Sequence, residues 1–226
     1  LEVLRCLEDG AQVLLGTLAQ NSEAVFFQYH DDYLARFSSL SPFKLPFDAQ
    51  LYQAAVEPHQ KLHGVFADSL PDGWGMLLMD RVFRQRGLLP QQISAMDRLA
   101  YIGNRGMGAL SYRPMLEQDF SATENFIAIE KLGREAQAIY EGQTDIVLAE
   151  LAQAGGSGGA RPKAQVYLDP ATPDLASTQS RAGLQPWLVK FTSRNLPFGH
   201  EEALCEAAYL QMAANAGLQV CEWKLI

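Results

Sequence analysis

Residues 155–163 are GGSGGARPK, and they lead directly into AQVYL, residues 164–168. Glycine has no Cβ, so several glycines in a row allow backbone N–H groups to turn towards an anion. The residues that follow are typical of a β-strand. The run therefore predicts an anion-binding segment, and a flexible linker of the same composition is the open alternative. The candidate residues of the segment are Gly156, Ser157, Gly158, Gly159, Ala160 and Lys163.

A strand follows the glycine run, and this distinguishes it from the phosphate loop of Walker-type enzymes. That loop ends in Gly-Lys-Ser/Thr and leads into a helix. A glycine-rich loop followed by a strand is instead the arrangement that protein kinases place over the phosphates of ATP. Residues 187–191, WLVKF, predict a second strand that carries Lys190. Alternation puts Trp187 and Val189 on one face of that strand and Lys190 on the other.

A lysine within an apolar strand usually lies at a sheet edge or holds a charged partner. The partner candidate is Glu206, on a helix predicted over residues 201–216 and ended by Gly217. We expect this helix to pack on the sheet through an apolar stripe that consists of Cys205, Ala208, Tyr209, Met212 and Ala216.

The order of these features favours nucleotide binding. In kinases the loop amides hold phosphates, a strand lysine neutralises phosphate oxygens, and a helix glutamate positions the lysine. Each feature alone also has a structural explanation: a linker, an edge lysine or a solvated helix face. The ordered set predicts the phosphate-handling half of a kinase.

Outside this region the pattern predicts a β-rich start and several helices. Strands are predicted over residues 2–7, 11–19, 24–29 and 109–112, the first three as a meander. Helices are predicted over residues 72–86, 94–101 and 144–153, and within 121–140. The polar, proline-containing residues 169–186 predict a mobile connection.

Several of these segments resemble HipA-type serine/threonine kinases, the toxin components of bacterial toxin–antitoxin pairs. The segments GGSGGARPKA, WLVKFTS and EEALCEAAYLQMAANAGLQV are similar to the nucleotide-handling region of the family. LSPFKLP, ADSLPDGWGMLLMDR and RLAYIGNRGMGALSYRP are similar to its amino-terminal region. The resemblance runs along nearly the whole chain.

The prediction is therefore an α+β chain with a small β-rich module and attached helices over residues 1–113. Residues 114–226 are predicted to form a kinase-N-lobe-like domain with a mixed sheet and helices, without the catalytic lobe. The resemblance implies that Gly158, Gly159 and Ala160 belong to the nucleotide loop. It implies that Lys190 binds the ATP phosphates and that Glu206 is the partner of Lys190.

The resemblance also implies the chemistry and partners of a parent protein. That protein transfers the γ-phosphate of ATP, with Mg²⁺, to a serine or threonine of a protein substrate. Its partner is a helix-turn-helix antitoxin of the HipB type, and operator DNA is reached only through that complex. Some family members carry a self-phosphorylated serine four residues before the alanine of this loop. Here that position is Gly156, next to Ser157.

The chain lacks the residues that a kinase needs after its phosphate lysine. No aspartate follows Lys190, so neither a base nor Mg²⁺ ligands can be assigned. We therefore predict no catalytic residue here, and expect the chain to be part of a longer protein and inactive alone. The alternatives are a noncatalytic module that binds an antitoxin or partner kinase domain, and an unrelated nucleotide-binding enzyme.

Composition narrows the class of protein. A net charge of −8 disfavours direct nucleic-acid binding, which needs clustered Lys and Arg. The three cysteines are scattered, which predicts a reducing cytoplasmic environment, and no apolar run predicts a membrane span. His59 and His63 have the spacing of a metal pair on a helix, but no third ligand is evident, so no metal site is predicted.

Overall fold

The computed structural model describes residues 1–106, 108–116, 126–154 and 158–226. These residues form two compact units. The first contains the described residues up to 116 together with Gly158, and the second contains residues 126–154 and 159–226. Both units combine helices with antiparallel strands, which confirms the α+β fold class. None of the described helices is long and apolar enough to cross a membrane.

The sheet of the first unit is built around the predicted meander. Its strands are β1 (Glu2–Cys6), β2 (Gln12–Gln20), β3 (Val25–Tyr29), β4 (Tyr52–Gln53) and β5 (Leu110–Arg113). They pair antiparallel in the order β4-β3-β2-β1-β5. Gly10 lies in the turn between β1 and β2 with a φ of 83°, a conformation that glycine adopts without strain. The meander and the strand near residue 110 are confirmed.

Helices of the first unit place aromatic side chains against this sheet, where Tyr33 contacts Tyr29 and Phe66 contacts Phe27. They are α1 (Asp31–Arg36), α2 (Gly64–Ala67), α3 (Gly73–Gln85) and α4 (Ala95–Ile102), with a 3₁₀ turn at Pro90–Gln92. The two longer helices confirm the predictions to within one residue. α4 begins with a capping box, because the Ser94 hydroxyl accepts from the Asp97 N–H and the Asp97 carboxylate accepts from the Ser94 N–H. The largest fully buried rings are Phe27, Tyr33, Phe66, Trp74, Phe83 and Tyr112.

The second unit contains a four-stranded antiparallel sheet. Its strands are β6 (Ile127–Ala128), β7 (Lys163–Asp169), β8 (Thr172–Ser177) and β9 (Gln185–Lys190), in the order β6-β8-β7-β9. The predicted strands around residues 166 and 189 are confirmed. β9 pairs only with β7 in the described structure, so it is an edge strand, and an edge position tolerates Pro186.

The predicted mobile connection over residues 169–186 is wrong for residues 172–177, which form β8, and for its ends, where Asp169 belongs to β7 and Gln185 and Pro186 belong to β9. A tight turn returns the chain from β7, and the Asp169 carboxylate accepts a hydrogen bond from the Ala171 N–H at 2.9 Å. Pro173 and Asp174 disfavour a strand locally. Pairing with β7 and the burial of Ala176 override that preference.

The helices of the second unit include one whose orientation the sequence pattern did not predict correctly. They are α5 (Ile129–Tyr140), α6 (Ala149–Ala154) and α7 (Glu202–Asn215), and α6 begins five residues later than predicted. α7 has the predicted extent, but its predicted apolar stripe is wrong. All five stripe residues are exposed, and Ala207 is the buried residue, with Ala203, Leu210 and Ala213 half-buried beside it. α7 is apolar around much of its circumference, so periodicity cannot select the packed face.

A half-buried histidine in the first unit has both ring nitrogens shielded from solvent. His63 lies beside Phe27 and Phe66, with ring centroids 6.3 and 6.0 Å away. Within the described part of the chain, both ring nitrogens are buried and make no hydrogen bond. Burial therefore lowers the pKa of His63 below its ordinary value of 6.5. The folded chain keeps this imidazole neutral under conditions in which the unfolded chain protonates it.

We expect the free energy of unfolding to fall as the pH is lowered below about 6.5, because the unfolded state then binds more protons than the folded state. The loss should level off below the lowered pKa of folded His63. His63→Phe should remove this part of the pH dependence in urea unfolding curves. His59→Gln, which changes an exposed neighbouring imidazole, is the control and should leave it in place. An unchanged pH profile for His63→Phe would contradict the prediction.

Candidate functional site

Two lysines lie opposite each other on neighbouring strands of the second unit. Lys163 begins β7, Lys190 ends β9, and the antiparallel register pairs them directly. Side chains of directly opposed residues belong to the same face of a sheet. Lys163 is only 9% exposed, whereas the Lys190 side chain is 49% exposed. One face of the sheet therefore carries a buried and an accessible positive charge at the same end.

Lys190 forms the predicted ion pair with Glu206 of α7. Its ammonium donates a hydrogen bond to Glu206 Oε1. Both side chains are 49% exposed, so solvent screens the pair, and its contribution to stability is at most about 1 kcal/mol. Its main effect is to hold the lysine in one orientation, and its part in nucleotide binding stays a prediction.

Gly159 lies directly against the buried lysine. Its φ is +96°, and a Cβ added to it would lie 2.5 Å from Lys163 Nζ. A side chain at this position would therefore be strained and would displace the ammonium. We call residues 159–163, the part of the predicted glycine run that lies in the second unit, the glycine segment. The Pro162 carbonyl accepts a hydrogen bond from the Phe191 N–H at 2.9 Å, which ties the end of the glycine segment to the end of β9.

The remaining predicted site residues do not all lie beside the two lysines. Gly156 and Ser157 lie outside the described residues. Gly158 lies in the first unit, where an added Cβ would be 3.3 Å from Asp72 Oδ1. Ala160 is exposed. The predicted residues that lie in the second unit are Gly159, Ala160, Lys163, Lys190 and Glu206.

A second ion pair, which the sequence did not predict, joins the glycine segment to α7. Arg161 Nη2 lies 2.7 Å from Glu202 Oε1, and the Glu202 side chain is only 12% exposed. Glu202 precedes Glu206 by four residues, so both carboxylates lie on neighbouring positions of one helix face. The four-residue spacing of the two glutamates is visible in the sequence and indicates that they share a helix face. It does not indicate which cation each glutamate contacts.

A further carboxylate that the sequence did not single out holds the residues after β9. Glu141, at the end of α5, accepts hydrogen bonds from Gln137 Nε2 at 2.9 Å and from Ser193 Oγ at 2.7 Å. Arg194 Nη2 lies 3.2 Å from its second oxygen, and the Glu141 side chain is 2% exposed. The hydrogen bonds from Gln137 and Ser193 lower the pKa of Glu141. No motif surrounds Glu141, so only the folded structure shows this contact.

Metal-ligating side chains do not cluster in the part of the chain that the structure describes. Among the described residues, no group of three His, Cys, Asp or Glu side chains lies close enough together to hold a metal ion. His59 and His63 lie in and after a turn, not on a common helix, and their exposures differ.

Two family models match the chain. The model of the HipA N-terminal domain matches residues 10–113, and that of the HipA-like C-terminal domain matches residues 155–226. The chain belongs to the HipA family. HipA-family proteins are in general serine/threonine kinases, and the family implies association with HipB-type antitoxins. A comparison with curated proteins found no match. The paired lysines, Gly159 and both ion pairs all lie in the HipA-like C-terminal domain.

We expect Gly159→Ala to destabilise the second unit more than Gly183→Ala does. Both glycines have a positive φ, and an alanine there costs roughly 1 kcal/mol. A Cβ at Gly183 meets nothing within 4 Å, whereas at Gly159 it displaces the buried Lys163 ammonium, for a further cost of about 1 kcal/mol. Urea unfolding of the two variants measures the difference. Equal losses would show that Lys163 moves aside without cost.

We expect Glu141→Gln to lower the free energy of unfolding at neutral pH and to flatten its dependence on acid. The lowered pKa of Glu141 means that its contribution is complete above the unfolded value of 4.5 and is lost as the pH falls through the folded value. Unfolding curves between about pH 3 and pH 7 test this. Glu130→Gln, which changes an exposed carboxylate paired with Arg134, is the control. An equally steep acid dependence in both variants would contradict the prediction.

Proposed function

We propose that this chain binds the phosphates of ATP and positions them for transfer to a serine or threonine of a protein, as part of a HipA-family kinase. The observation that carries the proposal is the pairing of Lys163 with Lys190 beside Gly159, with Glu206 holding the accessible lysine. A lysine, a glutamate and a glycine segment in this relation are the parts that kinases use to bind phosphate groups.

The residues present fit a polyphosphate. An ammonium group has three donors, and the hydrogen bond to Glu206 uses one of them, so two can reach phosphate oxygens. Lys190 is half exposed, which allows an anion to approach it. The Lys163 ammonium lies against the space that a Cβ of Gly159 would fill, so glycine at this position allows a positive charge to lie close to the backbone of the glycine segment. Buried Lys163 adds positive charge beneath that backbone.

The proposed role of this chain is to bind and orient the nucleotide. Mg²⁺ is the proposed companion ion, and in kinases it bridges phosphate oxygens and neutralises their charge. No aspartate follows Lys190 in the chain, so the base and the metal ligands of the reaction are not assigned to it. The proposed protein partner is a helix-turn-helix antitoxin of the HipB type. A net charge of −8 disfavours direct contact with DNA, so the proposed contact with operator DNA is made through that partner only.

A second candidate function is a noncatalytic interaction module that binds an antitoxin or a partner kinase domain. The outer face of α7 favours it, because Leu204, Tyr209 and Met212 are 58%, 71% and 61% exposed. Large exposed apolar side chains on one helix are typical of contact surfaces. Measuring nucleotide binding separates the two candidate functions.

We expect the chain to bind the Mg²⁺ complex of the nonhydrolysable analogue AMP-PNP, and Lys190→Ala to weaken that binding about 10- to 100-fold. That range corresponds to the loss of hydrogen bonds between a charged donor and phosphate. Glu206→Gln should weaken binding less, because Lys190 keeps its charge and loses only its orientation. Isothermal titration calorimetry measures both changes.

Lys131→Ala is the matched control, since Lys131 is an exposed lysine on α5 in the same unit. It should bind like the unsubstituted chain. Equal binding by the unsubstituted chain and by Lys190→Ala would contradict the proposed site. If the folded chain binds no nucleotide, the interaction module is the better account.

A further inference from the structure

The side chain of Glu202 is largely buried at the start of α7, with 12% of its surface exposed. Within the described part of the chain, its Oε1 is shielded from solvent and accepts no hydrogen bond. Arg161 Nη2 lies 2.7 Å from this oxygen, so the contact is an ion pair by distance without hydrogen-bond geometry. A buried carboxylate without a hydrogen bond is unfavourable unless a cation compensates it. The Arg161 guanidinium therefore compensates the free-energy cost of burying the Glu202 carboxylate.

Glu202 and Glu206 lie one helical turn apart on α7, and two like charges at this spacing repel each other. Each is compensated by a cation from a different part of the second unit. Glu202 pairs with Arg161 of the glycine segment, and Glu206 pairs with Lys190 of β9. One turn of one helix thus contacts both elements that are proposed to bind phosphate.

We propose that Glu202 is a positioning residue: through Arg161 it ties the glycine segment to α7, so that a single helix holds both this segment and Lys190. The proposal rests on the proposed nucleotide site for its functional consequence, whereas the coupling itself does not require a nucleotide. A displacement of α7 would break both ion pairs together and release the segment and the lysine at once.

Hydrogen exchange of the nucleotide-free chain tests the coupling directly. We expect Glu202→Gln and Arg161→Gln to raise amide exchange in residues 159–168 about three- to tenfold, the range that a partly exposed ion pair gives. Arg161→Gln should have the larger effect, because it leaves a buried carboxylate without its cation. Glu202→Asp keeps the charge and should have a smaller effect. Unchanged exchange in both glutamine variants would overturn the proposal.

The double variant Arg161→Glu with Glu202→Arg, the exchanged pair, keeps both charges but swaps their positions. It distinguishes the loss of a specific ion pair from a general loss of packing. Exchange in residues 159–168 should return towards the unsubstituted level in the double variant, whereas each single charge reversal should raise it. Arg134→Gln removes another exposed arginine ion pair of the same unit and is the control. Failure of the double variant to restore protection, in a chain that still shows a cooperative unfolding transition, would overturn the pairing.

The consequence for the site is measured as the affinity for the Mg²⁺ complex of AMP-PNP. If the unsubstituted chain binds it, Glu202→Gln should weaken binding about three- to tenfold and the exchanged pair should recover most of the loss. Unchanged affinity in Glu202→Gln would overturn the positioning role. If the unsubstituted chain binds no nucleotide, the proposed function fails, and the exchange experiment still decides whether Arg161 and Glu202 couple the segment to α7.

Discussion

The pairing of β7 with β9 is the constraint on which the site depends. Its antiparallel register sets Lys163 opposite Lys190, so that both lysines belong to the same end of the sheet. A shift of one residue would move every side chain of β9 to the other face. The hydrogen bond between Phe191 and the Pro162 carbonyl continues the pairing beyond both strands and carries it to the glycine segment. The position of each positive charge therefore follows from backbone pairing before any side-chain contact is made.

Side-chain contacts then connect this sheet to the surrounding helices. α7 holds Lys190 through Glu206 and the glycine segment through Glu202, while Glu141 at the end of α5 holds the residues that follow β9. Both side chains of the Lys190–Glu206 pair and the arginine of the Arg161–Glu202 pair are exposed, so solvent screens the attraction within each ion pair. Together the two ion pairs orient the glycine segment and Lys190, and the proposed binding of a phosphate group depends on that orientation.

The sequence predicted most elements of the second unit, and its errors have physical causes. Strands β7 and β9 followed from alternation and β-branched residues, and the extent of α7 followed from Gly217 at its end. β8 was missed because Pro173 and Asp174 disfavour a strand until a neighbouring strand supplies its hydrogen bonds. The packed face of α7 was placed wrongly because apolar residues surround most of the helix. Both errors concern features that strand pairing or helix packing decides against the local residue preferences.

The sequence by itself determined which residues we propose to bind phosphate: a glycine run, a strand lysine and a helix glutamate, in an order that also led to the HipA family. It determined these because glycine conformation, strand alternation and helix ends are local properties of the chain. Only the tertiary structure decided that Lys163 lies buried against Gly159, that Arg161 pairs with Glu202, and that Glu141 binds Ser193. The Arg161–Glu202 and Glu141–Ser193 contacts join residues far apart in sequence, and a charged side chain has many candidate partners until packing brings one within reach. Gly159 and Lys163 are close in sequence, but the burial of the lysine depends on the packing around it.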